Sequence, residues 1–113
     1  MKLKVTINEL CTELDGTLIT TSDESHISAG YMCDLLSFVI GRAPENCAWI
    51  TVIGNLNTIA VAVLADIPVV ILAENSQLDD DAKTRAEQNG IGVIRTEKTA
   101  FECAVTLGKL LEQ

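Results

Sequence analysis

Few side chains in this chain are equipped for chemistry, and their spacing narrows the options further. His26 is the only histidine, and it lies beside Ser25 and Ser28 at the end of the acidic stretch TSDESH, residues 21–26. A Ser–His–acid relay needs its nucleophile on a rigid, strained turn, and no G-x-S-x-G elbow is present. A solvated loop histidine accounts for the same residues. Asp79-Asp80-Asp81 offers carboxylates to a cation, but three consecutive acids entering a helix fan outward instead of converging. The four cysteines, Cys11, Cys33, Cys47 and Cys103, include no C-x-x-C pair, so neither a zinc cluster nor a redox dithiol fits their spacing. They read as buried free thiols of a reducing cytoplasm. No catalytic residue, no metal ligand and no cofactor is assigned.

The polar turn Gly54-Asn55-Leu56-Asn57-Thr58 is the better candidate, as a binding site. It follows an apolar strand-like run and opens a helix-like one, the place where unpaired N–H groups and the helix dipole favour anions. Asn55, Asn57 and Thr58 add donors and acceptors that could read a base, a ribose or a carboxylate. Ordinary roles explain these residues too: Gly for the turn, Asn for positive φ, Thr as a cap. Asp34 and Ser37 could line a pocket, but a helix-capping role explains Asp34 equally well. Two nucleotide signatures fail directly. Gly108-Lys109 continues with Leu110, so there is no G-x-x-x-x-G-K-[ST] loop, and Gly90-Ile91-Gly92 is followed by Arg95 where a dinucleotide fingerprint needs a small residue.

The elements that must position this turn are legible. From Ala48 to Glu74 the chain runs strand, turn, apolar helix, strand, and between Glu45 and Glu74 the only charge is Asp66. Strands buried on both faces show continuous apolar runs instead of alternation. Asn57 or Thr58 can cap the helix, and Pro68 stops it because Ile67 is pushed toward extended geometry. The second half alternates strand and helix three times: 48–53 with 57–66, 69–73 with 79–89, and 92–95 with 99–112. Connections this short predict a parallel sheet with right-handed crossovers. Gly90 stops the second helix, and a capping box at Thr99-Ala100-Phe101-Glu102 opens the last, with Phe101, Val105 and Leu111 as its packing stripe.

In the first half, Thr6-Ile7-Asn8-Glu9 is another capping box, after a possible edge strand at 2–5. Ile7, Leu10, Cys11 and Leu14 form one face of the helix it opens, and Asp15-Gly16 supplies a turn. Thr17 to Thr20 reads as a strand, TSDESH as a mobile loop, and Ile27 to Cys33 as a strand whose Gly30 marks a bulge or close approach. Asp34 then caps a helix from Leu35 to Ile40 that Gly41 ends. The fold class is therefore α/β: a single three-layer-type domain, residues 1–113, with a mainly parallel sheet built from consecutive βα units.

Composition bounds the partners. The chain has 113 residues, 48% of them hydrophobic, and a formal charge of −8, with no Lys or Arg between residues 5 and 41. A nucleic-acid surface needs a basic face, so DNA and RNA are poor partners. No apolar run approaches the roughly 20 residues of a membrane span, and the amino terminus does not read as a signal peptide. The expected setting is cytoplasmic.

Four stretches carry a resemblance: GYMCDLLSFVIG (30–41), WIT (49–51), NTIAVAVLA (57–65) and TAFE (99–102). Together they resemble the DRTGG domain family, similar to the N-terminal domain of HPr kinase/phosphorylase, over nearly the whole chain. The five letters that name the family do not occur here in order. The resemblance implies a regulatory or association module without an activity of its own. Relatives stand beside CBS domains in regulated pyrophosphatases, in phosphotransacetylase-type proteins, and alone near iron-only hydrogenase genes. In the pyrophosphatase setting the module is similar to a dimer-forming insert next to an adenine-nucleotide sensor.

Two expectations follow. The first is a non-enzymatic regulatory module acting as a homodimer through Leu35, Phe38 and Val39, because Leu35, Leu36, Phe38, Val39 and Ile40 occupy most sides of a helix about two turns long. The second is a sensor of a small adenine-nucleotide-type ligand bound at Gly54, Asn55, Asn57, Thr58 and Asp34.

Overall fold

Thr6 fixes where regular structure begins. The computed structural model describes residues 5–23 and 26–112; residues 2–4 of the expected edge strand, with Glu24 and Ser25 of the expected mobile loop, lie outside them. β1 (Val5–Thr6) runs directly into α1 (Ile7–Glu13). The Thr6 hydroxyl accepts the Glu9 N–H at 3.0 Å and the Glu9 carboxylate accepts the Thr6 N–H at 3.2 Å, closing the expected capping box. β2 (Thr17–Thr20), β3 (His26–Ile27), β4 (Ala29–Met32), α2 (Leu36–Arg42) and β5 (Cys47–Thr51) follow. Then come α3 (Leu56–Leu64), β6 (Val69–Leu72), α4 (Asp80–Gln88), β7 (Gly92–Arg95) and α5 (Ala100–Glu112).

The main sheet has the order β2-β7-β6-β5-β4, with β4 to β7 parallel and β2 antiparallel at one edge. Steps from β4 through β7 all run in one direction, so crossovers of one hand put α2, α3 and α4 on the same face. Val39, Ile59, Ala62, Ala82 and Ala86 from these helices pack there against Trp49, Val70, Leu72 and Val93. On the other face, Leu10 and Leu14 of α1 and Cys103, Leu107 and Leu110 of α5 cover Ala48, Ile50, Val69, Ile71 and Ile94. Consecutive residues of β5 and β6 thus enter opposite cores, which is why neither strand carries a charge. This is the three-layer α/β arrangement with a mostly parallel sheet.

Several local expectations need correction. Ile27 to Cys33 is not one strand. His26 and Ile27 pair with Thr6 and Val5 in a separate two-stranded ribbon, and the chain breaks at Ser28 before β4 joins the main sheet. Val5 and Ile27 are fully buried in the α1–α5 core, which accounts for the diversion. Asp34 does not cap α2; Leu35 holds the cap position without a side-chain bond. Gly41 lies inside α2, whose end comes at Ala43, just before Pro44. In α5 the buried stripe is Cys103, Leu107 and Leu110, while Phe101 and Val105 face outward.

Three helices end alike. Asp15, Asp66 and Gly90 take φ of 50°, 55° and 66°, and the following N–H bonds back to Cys11, Ala62 and Ala86 carbonyls at 2.9, 2.8 and 3.0 Å. This is the Schellman geometry, built twice here on aspartate. Asp66, not Pro68, therefore stops α3. Gly16, beside Asp15, is needed for space, since an added Cβ would overlap Ile94 and the Arg95 carbonyl.

Candidate functional site

The carboxyl ends of the parallel strands meet at one rim of the sheet, and every expected ligand residue lies there. Asn55 is the residue that caps α3: its Oδ1 accepts the Thr58 N–H at 3.0 Å, a role expected of Asn57 or Thr58. Asn55 does so at φ −105°, without a left-handed backbone. The Thr58 hydroxyl is buried and donates to the Ile53 carbonyl at 2.6 Å. The Gly54 carbonyl accepts the Asp79 N–H at 2.8 Å, and a Cβ on Gly54 would overlap the Gln77 carbonyl oxygen. Glycine is required here because two rim loops pass at backbone distance, not for a ligand's approach. Asn57 is exposed at the first turn of α3.

Asp34 reaches the same rim from the end of β4. Its Oδ1 accepts the Thr51 hydroxyl at 2.6 Å and the Val52 N–H at 3.3 Å, which ties the end of β4 to the end of β5. One residue earlier, the Cys33 carbonyl accepts the Trp49 indole N–H at 2.8 Å. The structure thus brings Asp34 beside the β5 end that leads into Gly54 and Asn55, with the groups of Gly54, Asn55 and Thr58 turned to internal bonds.

Open sheets hold ligands where consecutive connections leave on opposite faces. Here α4 follows β6 on one face and α5 follows β7 on the other, so the divergence lies between β6 and β7, one strand away from the expected turn. The cavity there is about 150 Å³ and polar, lined by Asp15, Thr17, Asn75, Arg95, Thr96 and Glu97. Backbone bonds from Glu74 to Lys98 and from Asn75 to Thr96, each 2.8 Å, sew its two loops together. A nucleotide pocket is usually ~300 Å³ or larger.

Two larger grooves were not foreseen. One, of about 350 Å³, is lined by Thr6, Ile7, Asn8, Leu18, Thr21, Ser22 and His26. The other, of about 290 Å³, runs between the edge strand β4 and α5, lined by Gly30, Met32, Ala104, Leu107, Gly108 and Leu111 among others. Its sequence signal was Gly30, expected to mark a close approach; the neighbour is Leu107, into which a Cβ would run.

Of the expected interface residues, Leu35 and Phe38 are exposed, whereas Val39 is fully buried against the sheet and offers nothing to a partner. Arg42 stacks over the Phe38 ring at 3.9 Å. Met32, Val52, Ile53 and Leu56 are also exposed, so the rim around Asp34 is largely apolar.

The thiols are free, but only Cys47 and Cys103 are buried as expected, whereas Cys11 and Cys33 are partly exposed. Burial pushes Cys47 and Cys103 up to about 11 and raises Cys11 as well, which keeps them protonated and poorly nucleophilic at neutral pH. Among the described residues no group of three or more His, Cys, Asp or Glu could hold a metal ion, and no helix is long and apolar enough to cross a membrane.

No protein-family model matches the sequence, and no curated protein matches it. The fold does have solved counterparts. A structure of the CBS and DRTGG domains from the regulatory region of a Clostridium perfringens pyrophosphatase, complexed with the activator diadenosine tetraphosphate, superposes with a TM-score of 0.76. The present chain has a DRTGG-like fold. The match covers 90% of this chain at 11% identity. This DRTGG-like chain spans 45% of the length of that structure, which holds the CBS domains as well.

Proposed function

We propose that this DRTGG-like chain is a non-catalytic regulatory module that works by association, as a homodimer. The observation that carries the reading is the apolar surface at one end of the sheet. Met32, Leu35, Phe38, Val52, Ile53 and Leu56 stay exposed around that end, in addition to Ile40, Leu64, Phe101 and Val105 on the helices. Contiguous exposed apolar surface marks association sites in folded proteins. The regulatory-region counterpart supports the same reading at the level of fold. Free thiols suit a cytoplasmic setting.

Sedimentation velocity over a dilution series tests it. The wild type should move as a dimer at micromolar concentration, and Phe38→Glu should shift it toward monomer. A wild-type monomer at high micromolar concentration would remove the reading.

A second reading is favoured by the counterpart's complex with a dinucleoside polyphosphate. In it, an adenine-nucleotide-type ligand sits at the rim near Asp34, Gly54, Asn55, Asn57 and Thr58, where the exposed Asn57 and the first amides of α3 face out. A ligand bound only by the folded state raises the melting temperature by mass action, about 2.7 kcal/mol at a hundredfold excess over Kd. A thermal-shift screen with mono- and dinucleotides should then show a rise that Asn57→Ala reduces; no shift with any nucleotide would dismiss this reading.

A further inference from the structure

We infer that two copies of this chain meet along β4, pairing that strand antiparallel with its own counterpart so that the sheet continues across a two-fold axis. The inference rests on the homodimer reading and says which surface carries it.

β4 is an open edge of the main sheet, and the two edges are not treated alike. The other edge strand, β2, carries a register irregularity between Leu18 and Thr20, a device that blunts pairing. β4 has the sequence AGYM and keeps an unbroken parallel register with β5 from Ala29 to Met32. No charge, proline or bulge guards it, so alternate N–H and C=O groups along it point outward with no sheet partner among the described residues.

Both helices that flank this edge leave apolar surface uncovered. On one face Leu35 (53%), at the cap of α2, and Phe38 (39%) within it are exposed, and on the other α5 exposes Phe101 (74%) and Val105 (39%), with Met32 (51%) on β4 itself. On α5 these two follow directly around the helix from Ala104 and Gly108, which line the groove beside β4. The five residues expose roughly 500 Å² in all, divided between the two faces of the sheet and joined across the open strand edge. That is about three-fifths of the ~800 Å² that each partner supplies to a standard interface.

Charge points to a second copy. The chain carries −8 overall, and copies repel wherever acids face one another. From Ser28 to Gly41 the only charged residue is Asp34, whose carboxylate is bonded to Thr51 and Val52. Antiparallel pairing of a strand with itself is self-complementary and closes on two molecules. It also brings α5 against its counterpart at Ala104 and Gly108, where small side chains let backbones approach.

Amide hydrogen exchange of the full chain, followed from nanomolar to high micromolar concentration, tests the inference. Alternate amides of β4 should become at least tenfold slower to exchange as the dimer forms. Met32→Lys and Gly108→Glu should each weaken dimerisation at least tenfold. A Cβ on Gly108 meets nothing within 4 Å in the single chain, so Gly108→Glu leaves the fold intact and its melting transition at nanomolar concentration unlowered. A dimer that forms with unchanged β4 exchange, or that tolerates both variants, overturns this inference and leaves the homodimer reading standing. A chain that stays monomeric throughout overturns both.

Discussion

Asp66 shows how a residue that looks out of place can be locally determined. It is the one charge in the apolar centre of the sequence, and it sits at φ 55° as the left-handed terminator of α3. A left-handed backbone costs a non-glycine residue about 1–2 kcal/mol, and aspartate recovers part of that locally. Asp66→Gly should therefore raise stability by roughly 0.5–1 kcal/mol, about 4 °C in melting temperature; a fall would show that the aspartate side chain does something further. Gly54 gives the opposite sign. Gly54→Ala must displace the Gln77 carbonyl, and chemical denaturation should show a loss of about 1–3 kcal/mol. The buried thiols add a pH dependence. Cys47 and Cys103 rise from an ordinary 9.0 to about 11 in the folded chain, so the folded state holds its thiol protons longer than the unfolded chain does. Their contribution is whole below about pH 9 and is lost as the pH climbs toward about 11. Urea unfolding at about pH 8 and about pH 10 should show lower stability at the higher value, with a smaller drop in Cys47→Ala.

At the scale of elements, start signals were easier to read than faces. Both capping boxes form as written: Thr99 Oγ1 accepts the Glu102 N–H at 3.1 Å, and Glu102 Oε1 accepts the Thr99 N–H at 2.9 Å. These bonds from Thr99 hold the Glu102 carboxyl below its usual range. A depressed carboxyl contributes stability that is present above its unfolded pKa and fades as the pH falls through the folded one. Thr99→Ala should cost about 1 kcal/mol in thermal unfolding at neutral pH. Glu102→Gln should lessen the loss of stability on acidification; an unchanged acid limb would mean that the exposed pair is fully screened. The face of α5 was misread because the helix carries two apolar stripes. Cys103, Leu107 and Leu110 follow the i, i+4, i+7 spacing of a core stripe more closely than Phe101, Val105 and Leu111 do, and Leu111 packs partly against that same core. The sheet takes the smaller, deeper set and leaves the aromatic outside. Asp34 was misread for a related reason. Its chemistry suits a cap, yet tertiary packing brings Thr51 and Val52 within its reach, and α2 starts without it.

At the scale of the molecule, the parallel core was legible because strands buried on two faces must be apolar, and β5 and β6 have no alternative place to go. The strand order was not legible, since short βα connections are satisfied by several orders. That order places the divergence of connections between β6 and β7 instead of at the turn after β5. The groove beside β4 was equally hidden, because Gly30 and Gly108 lie far apart in sequence and meet only when α5 returns across the sheet. What the assembled chain leaves over is an unguarded strand edge between two apolar helix faces. Solution X-ray scattering on the unmodified chain, extrapolated from a concentration series, tests association most directly. The account predicts a particle of twice the 12.2 kDa chain mass, with a radius of gyration well above the 12.2 Å of the single chain. A forward-scattering mass of 12.2 kDa and an unchanged radius at high micromolar concentration would contradict it.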